Sequence, residues 1–200
     1  MNQTEFIAHR INTVAELRTL PEGIGLELDL RDRGEDLILQ HDPFKEGELF
    51  ETFLKSYKQR KTLILNIKSE RIELRVLELL KEYKIEEYFF LDSSFPMIFH
   101  LSNLGEHKIA VRFSELESLE SVLLLKGRVD WVWVDCFTKL PLDHSVYLKL
   151  KDAGFKLCLV SPELQGRPED ILSYKSFLEK EKIVFDAICT KIKNFSLWQG

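Results

Sequence analysis

Cysteine is scarce in this chain: three in 200 residues, an odd number, set far apart at Cys136, Cys158 and Cys189 within apolar segments. That excludes a disulfide framework and, with no CxxC pair, a zinc knuckle; reduced core thiols in a reducing cytosol are the expectation. No apolar run approaches the roughly 18 to 20 residues of a membrane-crossing helix. The opening MNQTEFIAHR also lacks a basic stretch followed by an apolar one, so the reading is a soluble, cytoplasmic protein without a transmembrane segment. Positive charge is in deficit, 28 Lys and Arg against 33 Asp and Glu for a net charge of −5, and no whole-molecule field would draw nucleic acid or anionic lipid. Glycine-rich phosphate loops, nucleotide fingerprints and nucleophile elbows are missing as well. Function must therefore reside in a local site.

What is present is apolar material in short pieces. The chain is 44% hydrophobic and 11% aromatic, enough for one sizeable core, and its length suits a single domain over residues 1–200. Eight short runs rich in Val, Ile, Leu and Phe recur at residues 6–10, 25–31, 63–68, 89–93, 109–113, 131–135, 156–160 and 187–190. Stretches of helical periodicity lie between them. In residues 69–83 Ile72, Val76, Leu79 and Leu80 form one apolar stripe, and in residues 168–182 Ile171, Tyr174 and Leu178 do the same behind Pro168. Gly154 reads as a helix stop. At about 25 residues per unit the pattern predicts a compact α/β fold, a (β/α)8 TIM barrel, whose closure removes the sheet edges. The charged runs 55–61 and 179–182 read as exposed helix ends.

The second run, Ile24-Gly25-Leu26-Glu27-Leu28-Asp29-Leu30, alternates so that leucines share one face and Glu27 and Asp29 the other. With the apolar face against helices, both carboxylates point into the barrel. The third run repeats the arrangement, placing Asn66 and Lys68 inward. Unpartnered buried charge is costly, so four such groups imply mutual pairing, water, a metal or a charged ligand. One reading is a buried ion-pair network in which Lys68 neutralises a carboxylate. The other is a hard, oxygen-rich site suited to Mg²⁺ or Ca²⁺. His9, ending the first run, and His41, ending the apolar return 37–41, could reach the same mouth and supply a base and an acid.

The order His9-Arg10, Glu27-Leu28-Asp29, His41-Asp42, then a strand ending in Lys68, resembles the glycerophosphodiester phosphodiesterase family, within the wider superfamily of phosphatidylinositol-specific phospholipases C. The motifs span residues 6–68. The resemblance implies that His9 and His41 act as general acid and base, that Glu27 and Asp29 hold a divalent metal, and that Arg10 and Lys68 stabilise phosphate charge. Attack by water would give hydrolysis; attack by a neighbouring substrate hydroxyl would give a cyclic phosphate. Three departures mark the chain as divergent. Ile11 follows the His-Arg pair where the family has glycine, the third carboxylate ligand falls at Asn66, and only about twenty residues separate Asp42 from Leu63, so the family's insertion is missing.

Later runs offer further groups. An inward Arg112 would bind phosphate or pair with a neighbouring carboxylate; inward Trp131, Trp133 and Asp135 would form a sugar-stacking wall with an anionic ligand, or simply core packing. Ser94, Glu163 and Lys191 follow or end predicted strands. The leading expectation is a metal-assisted phosphodiester hydrolase acting on a small-molecule, glycan or lipid-headgroup phosphodiester. The alternative is a barrel that binds such a ligand without turning it over, an idea that the neutral Asn66 motivates.

Overall fold

A strand that is apolar on both faces needs a packed layer on each side, and that requirement shapes this molecule. The computed structural model describes residues 4–58 and 61–199. Its strands are β1 (Glu5–Ala8), β2 (Gly25–Arg33), β3 (Asp36–Leu39), β4 (Glu48–Leu49), β5 (Leu63–Ile67), β6 (Tyr88–Leu91), β7 (Ala110–Phe113), β8 (Trp131–Val134), β9 (Lys156–Val160) and β10 (Ala187–Thr190). Parallel pairing runs from β1 through β2, β5 and β6 on one side and through β10, β9, β8 and β7 on the other. A parallel bridge between Phe90 and Ile109 joins β6 to β7, so eight strands form a closed (β/α)8 barrel. The strands β3 and β4 continue antiparallel from the projecting end of β2. Each of the eight predicted runs holds one barrel strand, displaced by no more than two residues at either end.

The helices are α1 (Val14–Leu17), α2 (Phe50–Ser56), α3 (Glu73–Glu82), α4 (Phe95–Asn103), α5 (Leu119–Leu123), α6 (His144–Asp152), α7 (Ile171–Lys180) and α8 (Phe195–Gln199). The predicted stripe of Ile72, just before α3, with Val76, Leu79 and Leu80 within it, is buried. The helix begins at Glu73 rather than 69 because Arg71 takes a left-handed backbone, φ 70°, that an α-helix cannot accommodate. A 3₁₀ turn at Pro168–Asp170 likewise delays α7. Thr13 and Glu16 cap α1 reciprocally: Glu16 N donates to Thr13 Oγ1 at 3.1 Å, and Thr13 Oγ1 donates to Glu16 Oε2 at 2.9 Å. Of the basic run 55–61, residues 59 and 60 lie outside the described residues, as do residues 1–3 of the opening segment; Lys55, Lys58 and Lys61 are exposed. No helix among the described residues is long and apolar enough to cross a membrane.

Two apolar layers result. One fills the space between strands and helices; the other fills the barrel lumen, with Ile7, Ile64, Phe89, Trp131, Cys158 and Ala187 among its members. Phe89 and Trp131 stack there with ring centroids 4.5 Å apart. Gly25 has to be glycine: a Cβ would collide with Ile7 Cδ1 and stand 2.8 Å from the Thr62 carbonyl oxygen. All three cysteines are buried and free, as their apolar settings predict.

Candidate active site

Near the carboxyl ends of the strands the lumen changes character. Glu27 and Asp29 point inward from β2, and the β2–β5 register sets Asp29 beside Asn66. Glu27, Asp29 and Asn66 are 1%, 0% and 8% exposed, so each needs a partner inside the protein. Asn66 Nδ2 donates to Glu27 Oε1 at 2.8 Å, and Arg10 N donates to Glu27 Oε2 at 2.7 Å. Asn12, a residue the sequence reading passed over, forms a reciprocal pair with Asp29. Its Nδ2 donates to Asp29 Oδ2 at 2.9 Å, and its Oδ1 accepts from Asp29 N at 2.8 Å. Arg10 has φ 57°, a left-handed conformation that turns its backbone N–H toward Glu27. Strained backbone of this kind is tolerated where surrounding contacts hold it.

Electrostatics here set proton positions. Burial holds His9 far below its ordinary 6.5, at about 3, and the Arg10 and Lys191 charges add to that effect, so its imidazole is neutral at physiological pH. Its Nε2 stands 3.9 Å from Glu27 Oε2, and its Nδ1 is buried without a hydrogen-bond partner. Burial and the nearby Asp29 charge push Glu27 in the other direction, from 4.5 up to about 7. A neutral base thus faces a carboxyl that titrates near neutrality.

Cations complete the mouth. Lys68 Nζ lies 3.8 Å from Asp29 Oδ1 and 3.4 Å from Asp92 Oδ2. The Arg112 guanidinium is held between Asp92 and Asp135. Lys68 therefore pairs with carboxylates, and Arg112 with two of them, while both still line a cavity of about 250 Å³. That cavity is shared by His9, Arg10, Glu27, Asn66, Lys68, Asp92, Arg112, Trp133, Asp135, Gln165 and Lys191, among others. Trp133 belongs to the lumen packing and is 5% exposed, and Trp131 stacks on Phe89.

His41 is placed differently from the other predicted groups. It is not among the residues lining the cavity; its side chain is 39% exposed, and its Nδ1 lies 2.9 Å from Asp42 Oδ1. It stands close enough to His9 for its charge to contribute to the lowering of that histidine. The Arg31 guanidinium fixes the His41 backbone by donating to its carbonyl at 2.9 and 3.2 Å. Of the residues past strand ends, Lys191 lines the cavity, whereas Glu163 accepts from Lys191 N at 3.0 Å and also holds Ser161 and Thr190. Ser94 donates to Glu70 Oε1 at 2.7 Å, away from the cavity.

Among the described residues no group of three or more His, Cys, Asp and Glu side chains is gathered as a metal site. The oxygen set is instead two carboxylates and one amide. Asp29 Oδ1 and Asn66 Oδ1 are buried with no hydrogen-bond partner, the condition in which a hard cation finds ready ligands. The residues fit a divalent cation, with one negative charge fewer than three carboxylates would supply.

No protein-family model matches this chain, and no curated protein matches it. Solved structures do. A phosphodiesterase from Oleispira antarctica, in complex with the product sn-glycerol-3-phosphate, superposes with a TM-score of 0.67 at 15% identity, covering 98% of this chain and 97% of that one. An Agrobacterium tumefaciens protein assigned as a glycerophosphoryl diester phosphodiesterase gives 0.68 at 12%, covering 94% and 93%. A glycerophosphoryl diester phosphodiesterase from Parabacteroides distasonis gives 0.60 at 13%, covering 94% and 83%. The chain therefore has the (β/α)8 barrel fold of glycerophosphoryl diester phosphodiesterases, over nearly its whole length. The resemblance first seen in residues 6–68 extends to the architecture of the whole barrel.

Proposed function

We propose that the protein is a phosphodiester hydrolase acting at the carboxyl end of its barrel. The observation that carries this reading is the convergence of Arg10, Lys68, Arg112 and Lys191 on one cavity with the neutral imidazole of His9, above the buried Glu27–Asp29 pair. A phosphodiester gains negative charge as its phosphorus is attacked, and fixed cations at that point stabilise the transition state more than the ground state. Lys68, Arg10 and Arg112 would hold the phosphate oxygens. His9, neutral, takes the proton from the attacking water. His41, oriented by Asp42 at 2.9 Å, donates to the departing alcohol. Glu27, Asp29 and Asn66 would hold Mg²⁺ or Ca²⁺, which when bound supplies Lewis-acid stabilisation of phosphate charge. Trp133 and Asp135 would border the alcohol portion of the substrate. The fold neighbour that carries sn-glycerol-3-phosphate supports a small phosphate ester as the ligand class.

Proton transfer by a positioned histidine is worth about 10² to 10⁴ in rate, so His9→Ala and His41→Ala should each lower kcat on a panel of phosphodiesters by that order with melting temperature retained. Wild-type protein that turns over no diester with either cation overturns the hydrolase reading. A second reading, a barrel that binds phosphate esters without hydrolysing them, is favoured by two observations: the neutral Asn66 at the acidic pair and the position of His41 outside the cavity lining. Saturable binding of a diester with no turnover, and no loss of that binding on His41→Ala, would select it.

A further inference from the structure

Arg112 touches two carboxylates, and they are unlike. Asp135 is 2% exposed and fully engaged: its Oδ1 accepts from Cys136 N at 2.8 Å and from Gln165 Nε2 at 2.8 Å, while Oδ2 holds the guanidinium. Such a group is a fixed part of the wall. The Asp92 side chain is 29% exposed; it reaches Arg112 through Oδ1 and Lys68 through Oδ2, the latter at 3.4 Å, long for a charge-assisted hydrogen bond. Asp92 spans Lys68 and Arg112, two of the four cations that line the cavity, and it does so from a left-handed backbone, φ 59°, just past the end of β6.

We propose that Asp92 is a specificity-determining residue: its carboxylate competes with the phosphate of the ligand for Lys68 and Arg112, so that it weakens the binding of dianionic phosphomonoesters more than that of monoanionic phosphodiesters. This rests on the reading of the cavity as a phosphodiester site. With Arg10, Lys68, Arg112 and Lys191 in one cavity, a dianion would otherwise be retained most strongly. Coulomb energy scales with the ligand's charge. The repulsion from Asp92 is therefore twice as large for a dianion as for a monoanion, and a factor f on diester binding becomes f² on monoester binding. Hydrolysis of a diester yields a monoester, so the same carboxylate loosens the product more than the substrate.

The test is titration calorimetry at pH 8, above the second phosphate pKa of about 6, with dimethyl phosphate as monoanion and methyl phosphate as dianion, at fixed magnesium concentration. Asp92→Asn removes the charge and keeps a residue that tolerates the left-handed backbone. The expected result is affinity raised about threefold for dimethyl phosphate and about tenfold for methyl phosphate, with the Asp92→Glu variant preserving the wild-type ratio of the two within about twofold. Equal factors for the two ligands, or affinities unchanged or weakened in Asp92→Asn, overturn the assignment to Asp92 while leaving the phosphodiester site standing. Failure of wild type and variant alike to bind either ligand overturns both.

Discussion

The two ends of the barrel lumen are made by the same strands and differ by two residues of chain. Ile64 gives way to Asn66 on β5, Ala110 to Arg112 on β7, and Trp133 at the end of β8 to Asp135 just beyond it. Below, the side chains are apolar and interlocked, with Phe89 stacked on Trp131; above, most of the groups that line the cavity are charged or amides, with Leu91, Trp133, Val160 and Leu164 between them. Position along a strand thus separates stability from chemistry, as in parallel barrels generally. The cost of the upper end is visible in atoms left without partners, His9 Nδ1, Asp29 Oδ1 and Asn66 Oδ1. A region optimised for folding alone would not keep them.

The contrast breaks most directly at its lower end. Truncating a buried tryptophan removes a large apolar contact and leaves a cavity, so Trp131→Ala should cost about 3–5 kcal/mol in urea unfolding. If the two ends are separable, the surviving folded protein binds dimethyl phosphate within about twofold of wild type. Loss of ligand binding by a variant that still unfolds cooperatively would show that the lower packing is part of the site.

Smaller effects, and of opposite sign, belong to the upper end. His9 takes up a proton near pH 6.5 when unfolded and near 3 when folded, because burial disfavours its cation. Between those values the unfolded chain binds more protons, and stability rises with pH. Glu27, raised from 4.5 to about 7 by burial and Asp29, behaves in reverse: from pH 4.5 to about 7 the folded state binds more protons, and stability falls as pH rises. The two slopes offset each other from about 4.5 to 6.5. His9→Asn should therefore gain, relative to wild type, on the order of 3 kcal/mol between pH 7 and pH 4, whereas Glu27→Gln should remove the decline toward neutrality. Thermal melts at pH 4, 6 and 7.5 separate them, and Trp131→Ala should keep the wild-type pH profile. A wild-type profile in His9→Asn would sever its burial from the acid response.

Barrel and acid pair were both legible in the sequence, for one reason: alternation along a strand is local. Glu27 and Asp29, Asn66 and Lys68, and Arg112 all face where a period of two puts them. What alternation could not supply was geometry past the strand ends. With the fourth run read as 89–93, alternation puts Phe89 and Leu91 on one face and Asp92 on the other. The strand stops at Leu91, and the left-handed backbone of Asp92 brings its carboxylate back to Lys68 and Arg112. Arg10 and Arg71 take the same conformation, in the first site loop and before α3. Asn12 was hidden because its partner Asp29 lies 17 residues away on the neighbouring strand. Its one signal was an amide two residues past the His-Arg pair. The place of His41 depends on the β2–β3 hairpin and on Arg31 holding its carbonyl, neither of which periodicity describes.

The finest test of the contrast concerns Asn66, a neutral side chain set beside Glu27 and Asp29. Its amide donates to Glu27 Oε1 at 2.8 Å. In Asn66→Asp that donor becomes an acceptor beside two carboxylates, so without a divalent cation stability should fall by about 1–2 kcal/mol at pH 8. Millimolar magnesium should then restore more stability to the variant than to wild type, since a third carboxylate adds charge to an oxygen set whose Asp29 Oδ1 is already without a hydrogen-bond partner. A tenfold gain in affinity for the ion amounts to about 1.4 kcal/mol of extra stabilisation. Melting curves with and without magnesium read the difference. Equal shifts in both proteins would mean that the oxygen atoms at this end serve the protein's own cations, with Lys68 and not a metal as the partner that Asp29 was placed to meet.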